Sequence, residues 1–556
     1  MNIKSHGFHG GMHLEGHKAE SLTQPLQQAS LPERLFLPLR QHIGEANRPL
    51  VERGERVLRG QLIADSSSPI SAPIHAPSSG TVRKIALHPI PHPSGQSDHC
   101  IVIDLDGKDE AIQQQALNPD SLPAPELINL IRRAGIVGLG GAAFPTSAKL
   151  SRAREPGIDT LIINGAECEP YITSDDMLMQ THSDEVIRGT GYLQRIFNPA
   201  RTLIAIEDDK PRAIEAIGRA LATESLEKTK LVVIPSFYPS GGEKQLMKKL
   251  TGKEVPQGQL AFDIGILSQN VGTCVAITRA LEQDEALISR IVTVSGNGIR
   301  QPGNWETRLG TPIDHLIKLA GGYRVDRSDS QHLVMGGPMM GFSLSSGRVP
   351  IVKASNNILV MQQQTIPATP GYHDECVRCG KCAEVCPAQL LPQQLYWQAR
   401  AKAYERSEAY NLFDCIECGC CSVVCPSQIP LVQYYRAAKS EIRAAKQAQF
   451  KSDRSRVRFE FREKRLLLKK QLDEERRRLK REALQKKDPQ KKAAGDAADP
   501  IQAALERVRA KKQALDIKPE NTTNLRAAQQ RQIEQADARQ RAARQARTLH
   551  EDGDNS

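Results

Sequence analysis

The sequence predicts a multi-domain protein of mixed α/β and α+β architecture, and three observations lead to this expectation. Its 556 residues are too many for one hydrophobic core, since single cores stop growing at about 250–300 residues. Helix-like and strand-like segments alternate between residues 120 and 287, which is typical of a mostly parallel sheet covered by helices. Nine of the twelve cysteines fall between Cys376 and Cys425, which indicates a separate ligand-rich domain.

Net charge and hydropathy narrow the class of protein further. The net charge is +11, and no apolar run approaches the roughly 18–20 residues that cross a bilayer. The opening residues MNIKSHGFHGG lack the apolar segment of a secretory signal. The sequence therefore predicts a cytoplasmic protein, in which clustered cysteines bind metal rather than form disulfides.

Residues 1–115 read as short strands separated by turns, such as the apolar pair Leu62–Ile63 and the turn Pro93-Ser94-Gly95. This segment resembles the biotinyl/lipoyl carrier domains, which are small barrel-sandwich folds. Those domains present a modifiable lysine on a hairpin, but the matching stretch here, residues 65–71, contains no lysine. We expect the lipoyl-like fold without the swinging-arm chemistry.

Residues 120–287 are expected to form an α/β domain. The predicted strands are TLIING, RTLIAIED and LVVIPS, and the predicted helices are PELINLIRRAG, SDEVIRGTGYLQRIF and KPRAIEAIGRALA. Residues 288–348 follow as a shorter β-rich unit, which resembles the SLBB module, a soluble-ligand-binding β-grasp fold.

Two copies of one cysteine motif follow within residues 366–435. Each has the form C-x₂-C-x₂-C-x₃-C-P, in which three thiolates hold one [4Fe–4S] cluster and the fourth reaches the other cluster. The spacing assigns Cys376, Cys379, Cys382 and Cys425 to the first cluster, and Cys415, Cys418, Cys421 and Cys386 to the second. A zinc knuckle is the alternative, but structural zinc sites use pairs of cysteines separated by longer loops. Cys420 is out of register and is expected to be a spare thiol.

The composition of residues 440–556 shifts to Ala, Lys, Arg, Gln and Glu. The first part, around LDEERRRLKRE, predicts a long basic helix, and the rest reads as low-complexity sequence, partly disordered. Acidic residues interrupt the basic ones, so the tail lacks the uniform cationic stripe that suits a phosphate backbone. We expect a solvated helix and no nucleic-acid partner, and a nucleic-acid-binding or scaffolding role stays open as an alternative.

A glycine-rich loop separates the first predicted helix and strand of the α/β domain. Gly138 and Gly140 open a G-x-G-x-x-A pattern, yet a dinucleotide-binding loop follows a strand rather than a helix. Backbone N–H groups at a helix start, with the ammonium of Lys149 nearby, suit a phosphate or the polar edge of a flavin. Asn164 and Glu167 follow a predicted strand, at the edge where open α/β sheets bind ligands. From these residues alone, an ordinary turn stays equally possible.

Four motifs of this domain, GLGGAAFPTSAKL, NGAECEP, YPSGGEKQL and QNVGT, resemble the flavoprotein subunit of respiratory complex I, which binds FMN and oxidises NADH. The resemblance implies these cofactor-binding residues: Gly138, Gly140, Gly141, Ala142, Lys149, Asn164, Glu167, Tyr238, Glu243 and Asn270. It also makes Phe144 and Glu167 the candidate catalytic residues, which would shape the pocket for hydride transfer. Three departures weaken the NADH pocket: Ala166 replaces an Asp, Lys244 replaces a Glu, and Arg152 replaces an aromatic residue.

The domain order closely resembles the C subunits of the bacterial Rnf (Rsx) ion-translocating electron-transport complexes. The resemblance covers roughly residues 5–435 and implies a peripheral protein on the cytoplasmic side of the inner membrane, held there by other subunits. It further implies that electrons pass from NADH to FMN, through two [4Fe–4S] clusters, and on to partner subunits. An NADH-independent electron-transfer subunit is the alternative that the three departures favour.

Overall fold

The computed structural model describes residues 6–114, 118–325, 331–362, 374–487 and 504–510. Residues 363–373, where the predicted cluster domain begins, and most of the tail beyond residue 487 lie outside the described residues. The strands are β1 Gln27–Gln28, β2 Arg34–Pro38, β3 Arg48–Pro49, β4 Arg56–Val57, β5 Leu62–Asp65, β6 Ile74–His75, β7 Gly80–Pro89, β8 Ser97–Leu105, β9 Thr160–Gly165, β10 Arg201–Glu207, β11 Thr229–Ile234, β12 Ile266–Asn270, β13 Ser289–Ser295, β14 Gly303–Arg308, β15 Gln331–Met335, β16 Phe342–Ser343 and β17 Asn357–Gln362. The α-helices are α1 Ala124–Arg133, α2 Thr146–Ala153, α3 Ser174–Thr181, α4 Ser183–Phe197, α5 Pro211–Glu224, α6 Glu243–Thr251, α7 Val271–Gln283, α8 Ile313–Leu319, α9 Lys381–Glu384, α10 Pro392–Arg400, α11 Tyr404–Ala409, α12 Cys420–Val423 and α13 Leu431–Lys487.

The N-terminal region forms two small antiparallel sheets around one core. One sheet has the strand order β2-β8-β7-β4, and the other has the order β3-β5-β6. Side chains from both sheets, such as Ile63 and Ile101, pack in the same hydrophobic cluster. The predicted barrel-sandwich fold is therefore confirmed, and the stretch without a lysine lies between β5 and β6.

The α/β domain is built on a four-stranded, fully parallel sheet with the order β11-β10-β9-β12. Leu161, Ile162 and Ile163 of β9 are fully buried, as expected for a central strand that helices cover on both faces. Helix α1 precedes the glycine loop, as predicted. Because the strands are parallel, the carboxyl ends of β9, β10 and β12 meet at one edge of the sheet.

The SLBB unit is a six-stranded mixed sheet with the order β1-β14-β13-β17-β15-β16. Strand β1 from the N-terminal region pairs with β14, and β17, which lies beyond the predicted end at residue 348, pairs with β13 and β15. Val294 and Trp305 of this sheet pack in the same cluster as Leu37 of the barrel sandwich. The two units therefore share one hydrophobic core.

The cysteine-rich region consists of two copies of one backbone unit, 39 residues apart. Arg378 and Glu417 have φ angles of +56° and +59°, and Gly380 and Gly419 have φ angles of +82° and +83°. Each glycine precedes a short helix, α9 or α12, that carries the third cysteine of its motif. The backbone thus repeats with the motif, and Tyr435 of α13 packs in the shared core.

The chain divides into two units after Ala448. The first unit contains the four domains above, and Ile442, beyond the predicted boundary at 440, is buried in the cluster core. The second unit begins at Gln449 and contains the exposed remainder of α13 and a short helical segment, residues 504–510. Among the residues described, no helix is both long enough and apolar enough to span a membrane.

Candidate flavin and iron–sulfur sites

The glycine loop lies at the carboxyl edge of the parallel sheet, against the end of β12. A Cβ atom on Gly140 would lie 3.5 Å from Cβ of Asn270, and Gly141 has a φ of +107°, where side chains are disfavoured. Gly140, Gly141 and Ala142 are exposed residues, and their amide N–H groups make no hydrogen bond with any described residue. Three free donors on an exposed loop fit a phosphate or the polar edge of a flavin.

Phe144 closes this loop rather than projecting from it. Its carbonyl accepts a hydrogen bond from the N–H of Gly138 at 2.8 Å, and its side chain is half-buried. The structure therefore places this candidate catalytic residue within the loop, and its role in hydride transfer stays a prediction.

Lys149 of α2 and Glu243 of α6 face each other beside the loop. The Lys149 Nζ donates to Glu243 Oε1 at 2.7 Å and to the Ser268 carbonyl of β12 at 2.8 Å. The two side chains are 25% and 49% exposed, so this ion pair is open to solvent. An anionic ligand would compete with Glu243 for an ammonium that is already in place.

Asn164 and Asn270 are register partners on the neighbouring strands β9 and β12. The Asn164 Nδ2 donates to the Gly241 carbonyl at 3.0 Å. The Asn270 Oδ1 caps α7, and its Nδ2 donates to Asp175 Oδ2 at 2.6 Å. The structure thus brings both predicted residues to one edge of the sheet, where their amides fix the surrounding backbone.

Glu167 is buried and caps the amino terminus of α3. Its carboxylate accepts from the Ser174 hydroxyl at 3.1 Å and from the backbone N–H groups of Asp175 and Asp176 at 2.8 and 3.3 Å. Burial, followed by the neighbouring Asp175 carboxylate, raises the pKa of Glu167 to about 7. These contacts fix the segment that follows β9 against the start of α3. The predicted catalytic role of Glu167 stays a prediction.

Arg290 of β13 supports the glycine loop from the SLBB unit, and no motif in the sequence predicted this role. Its Nη2 donates to the Leu139 carbonyl at 3.1 Å, and its Nη1 donates to the Lys353 carbonyl. Burial lowers the pKa of Arg290 to about 10, and the Asp175 carboxylate opposes that shift. The one available signal was an arginine within the apolar strand SRIVTVS, since 151 residues separate the two partners.

Tyr238 joins the flavin domain to the cluster domain. Its hydroxyl donates to the Cys418 carbonyl at 2.6 Å, and its ring is 2% exposed. Met12 exchanges two backbone hydrogen bonds with Tyr238, and the Gly11 N–H donates to the Val385 carbonyl. The N-terminal segment therefore lies between the two domains.

The four cysteines predicted for the second cluster line one small cavity: Cys386, Cys415, Cys418 and Cys421. In the first set, Cys382 is near enough to Cys379 and Cys425 for their charges to raise the pKa of its thiol, although burial is the larger cause. A four-iron cluster spreads its four thiolates around itself, and the four cysteines of the second set around one cavity fit that arrangement.

Four parts of the chain match known families. Residues 6–108 match the RnfC barrel sandwich hybrid domain, and residues 131–279 match the Nuo51 FMN-binding domain. Residues 291–343 match the SLBB domain, and residues 375–429 match the 4Fe-4S dicluster domain. These matches confirm the predicted fold class and the two predicted cofactor types, FMN and [4Fe–4S] clusters.

Three curated relatives are each named as the C subunit of an ion-translocating oxidoreductase complex. The relative from Yersinia pestis is 48% identical over 460 residues, which are 83% of this chain and 73% of the relative. The relative from Yersinia enterocolitica is also 48% identical, with 83% and 65% covered. The relative from Pseudomonas aeruginosa is 46% identical over 519 residues, with 92% and 66% covered. The chain spans about two thirds of the length of the last two relatives.

Proposed function

Because the chain belongs to the family of C subunits of ion-translocating oxidoreductase complexes, we propose that it takes electrons from NADH on FMN and passes them through two [4Fe–4S] clusters to other subunits of such a complex. It would work as a peripheral subunit on the cytoplasmic side of the membrane, held there by those partners. When bound, FMN accepts a hydride and returns the two electrons singly. The residues of the chain then have to hold FMN and NADH and orient them toward each other, and no general base is required.

The residues at the sheet edge divide this task. The free amides of Gly140, Gly141 and Ala142 and the ammonium of Lys149 would hold the anionic part of FMN. Asn270, fixed by Asp175 and by the start of α7, would keep the end of β12 in place against the loop.

The observation that carries the proposal is the contact between the flavin domain and a predicted cluster ligand. The Tyr238 hydroxyl meets the backbone of Cys418, so the second cysteine set lies against the flavin domain. In the first set, Cys379 is exposed. We infer that the second set would hold the cluster nearer the flavin domain, and that the first set would hold the cluster nearer a partner subunit.

The test is anaerobic reconstitution of the full chain with FMN, iron and sulfide, followed by NADH. We expect about one FMN and about eight irons per chain, and NADH should bleach both the flavin and the cluster absorption. Dithionite serves as the control reductant, because it reduces the centres without the nucleotide pocket. Bleaching by dithionite but not by NADH would reject NADH as the donor.

A second candidate, an NADH-independent electron-transfer subunit, rests on two observations at the altered positions. Lys244 lies 3.8 Å from Asp414 of the cluster domain, so it is committed to another contact. Arg152 lies over the ring of Phe262, 5.5 Å from its centroid, where the related flavoproteins offer an aromatic ring to adenine. Replacing Lys244 by glutamate separates the candidates, because faster bleaching by NADH is expected only if that pocket binds the nucleotide.

A further inference from the structure

Helix α13 carries a regular apolar stripe in the second unit of the chain. Its members share a fixed spacing of alternately seven and four residues: Phe450, Val457, Phe461, Leu468, Leu472 and Leu479. All six side chains are 52–68% exposed. Since successive residues turn by about 100° around an α-helix, the six lie within an arc of about 60° and extend over about 45 Å.

The spacing and the width of this apolar stripe are those of a helix-pairing seam. Seven plus four gives an 11-residue repeat, about 3.67 residues per turn, which keeps the stripe on one face of a nearly straight helix. A helix that packs on a globular core shows an apolar face of roughly 100° or more, whereas the seam of a coiled coil is narrower. The stripe therefore suits another long helix better than a broad surface.

Charges on either side of the stripe are segregated by sign. Residues 449–487 contain 16 Lys and Arg and seven Asp and Glu, which gives a net charge of +9. Up to residue 483, one flank carries seven basic residues and the single acidic Asp473: Lys451, Arg458, Arg462, Arg465, Lys469, Arg476 and Lys480. The other flank carries four acidic residues and three basic ones: Asp453, Glu460, Glu474, Glu482, Arg456, Lys464 and Arg478. Arg454 and Glu475 lie within the arc of the stripe itself. The basic flank thus meets opposite charge only if it faces the acidic one.

We propose that the apolar stripe is a self-association surface, which pairs with the same stripe of a second copy in a parallel coiled coil. In a parallel pair of identical helices, the basic flank of one copy faces the acidic flank of the other. In an antiparallel pair each flank faces its own kind, and like charges repel. Charge therefore selects the parallel direction, and the length and spacing of the stripe select a second copy as the occupant.

The short helical segment of residues 504–510 is a less suitable occupant. It offers two large apolar side chains, Leu505 and Val508, which are 53% and 62% exposed. These two span about one helical turn, or roughly 5 Å, and cover only a small part of the stripe. A second copy of α13 matches the stripe along its full length.

Sedimentation equilibrium of the reconstituted full chain tests the surface. We expect a concentration-dependent dimer, which the triple variant F461E/L468E/L472E weakens about 100-fold or more, because three buried seam residues become charged. The matched control is F459E/L466E, which places the same kind of charge on the opposite face, where both side chains are also exposed. A wild type that stays monomeric at every concentration, or a control that loses as much association as the triple variant, would overturn the proposal.

Crosslinking tests the occupant and its direction. A photoreactive amino acid in place of Leu479, at one end of the stripe, is expected to crosslink to residues around 479 of a second, isotope-labelled copy. Crosslinks to residues around 450 of that copy, to residues 504–556 of the same copy, or to added lipid vesicles would contradict a parallel self-pairing. FMN and iron content of the triple variant should equal those of wild type, so loss of dimerisation is separable from failure of the proposed electron-transfer function.

Discussion

Replacing Tyr238 by phenylalanine removes one hydroxyl from the joint between the flavin domain and the cluster domain. In the wild type this hydroxyl donates to the Cys418 carbonyl at 2.6 Å, and the structure shows no other donor to that carbonyl from the described residues. The substitution keeps the buried ring and leaves a buried acceptor unpaired, which costs about 1–3 kcal/mol. The free energy of unfolding should fall by this amount, measured by urea titration of the reconstituted protein.

A matched control separates an effect on the contact between the two domains from an effect on overall stability. The Tyr435 hydroxyl also donates to a backbone carbonyl at 2.6 Å, that of Pro392, and its ring is 1% exposed, but both partners lie within the cluster domain. Both phenylalanine variants should lose similar stability. Only Tyr238→Phe should speed amide hydrogen exchange in residues 10–12, which lie in the joint. If Tyr238→Phe changes stability by less than about 0.5 kcal/mol and leaves this exchange unchanged, the hydroxyl does not hold the domains together.

Three further outcomes follow from the sites. Arg290→Leu removes the donor to the Leu139 carbonyl, and FMN affinity measured by flavin fluorescence should fall about tenfold or more; unchanged affinity would show that the loop needs no support from the SLBB unit. Cys420→Ser should retain about eight irons per chain and Cys421→Ser about four, and iron loss from Cys420→Ser would make Cys420 a ligand. Because burial raises the pKa of Glu167 to about 7, the contribution of Glu167 to the stability of wild type falls as pH rises from about 4.5 to 7. Glu167→Gln should therefore gain stability relative to wild type across that window, by up to roughly 3 kcal/mol, and a flat difference between urea titrations across the window would contradict the assignment.

Features that depend on neighbours along the chain could be predicted from the sequence. The parallel strands TLIING and RTLIAIE are predicted by short apolar runs between amphipathic helices. A strand that is buried on both faces shows no alternation of apolar and polar residues. The cysteine spacing predicts the two ligand sets, and the structure brings Cys386 beside three cysteines of the second motif around one cavity. The assignment of individual ligands stays a prediction from the spacing.

Contacts between distant segments could not be predicted in this way. Periodicity reports which face of an element is buried, but not which element covers it. The strand end and the family resemblance predict Glu167 at the pocket, but neither predicts that it caps α3 through Ser174. No sequence motif marks Arg290, and only the folded chain shows that it reaches Leu139. Residues that support a site from another domain carry no local pattern.

The N-terminal glycines show what such a long-range contact requires of the sequence. A Cβ atom on Gly10 would lie 2.6 Å from the Val385 backbone, and one on Gly11 would lie 2.7 Å from the Tyr238 carbonyl. Both residues also have positive φ angles, +66° and +78°, which glycine adopts without strain. The pair Gly10-Gly11 therefore allows the N-terminal segment to pass between the flavin domain and the cluster domain in backbone contact with both. Because the same segment touches Val385, next to Cys386, and Tyr238, which contacts Cys418, it lies at the contact between the flavin domain and the cluster domain.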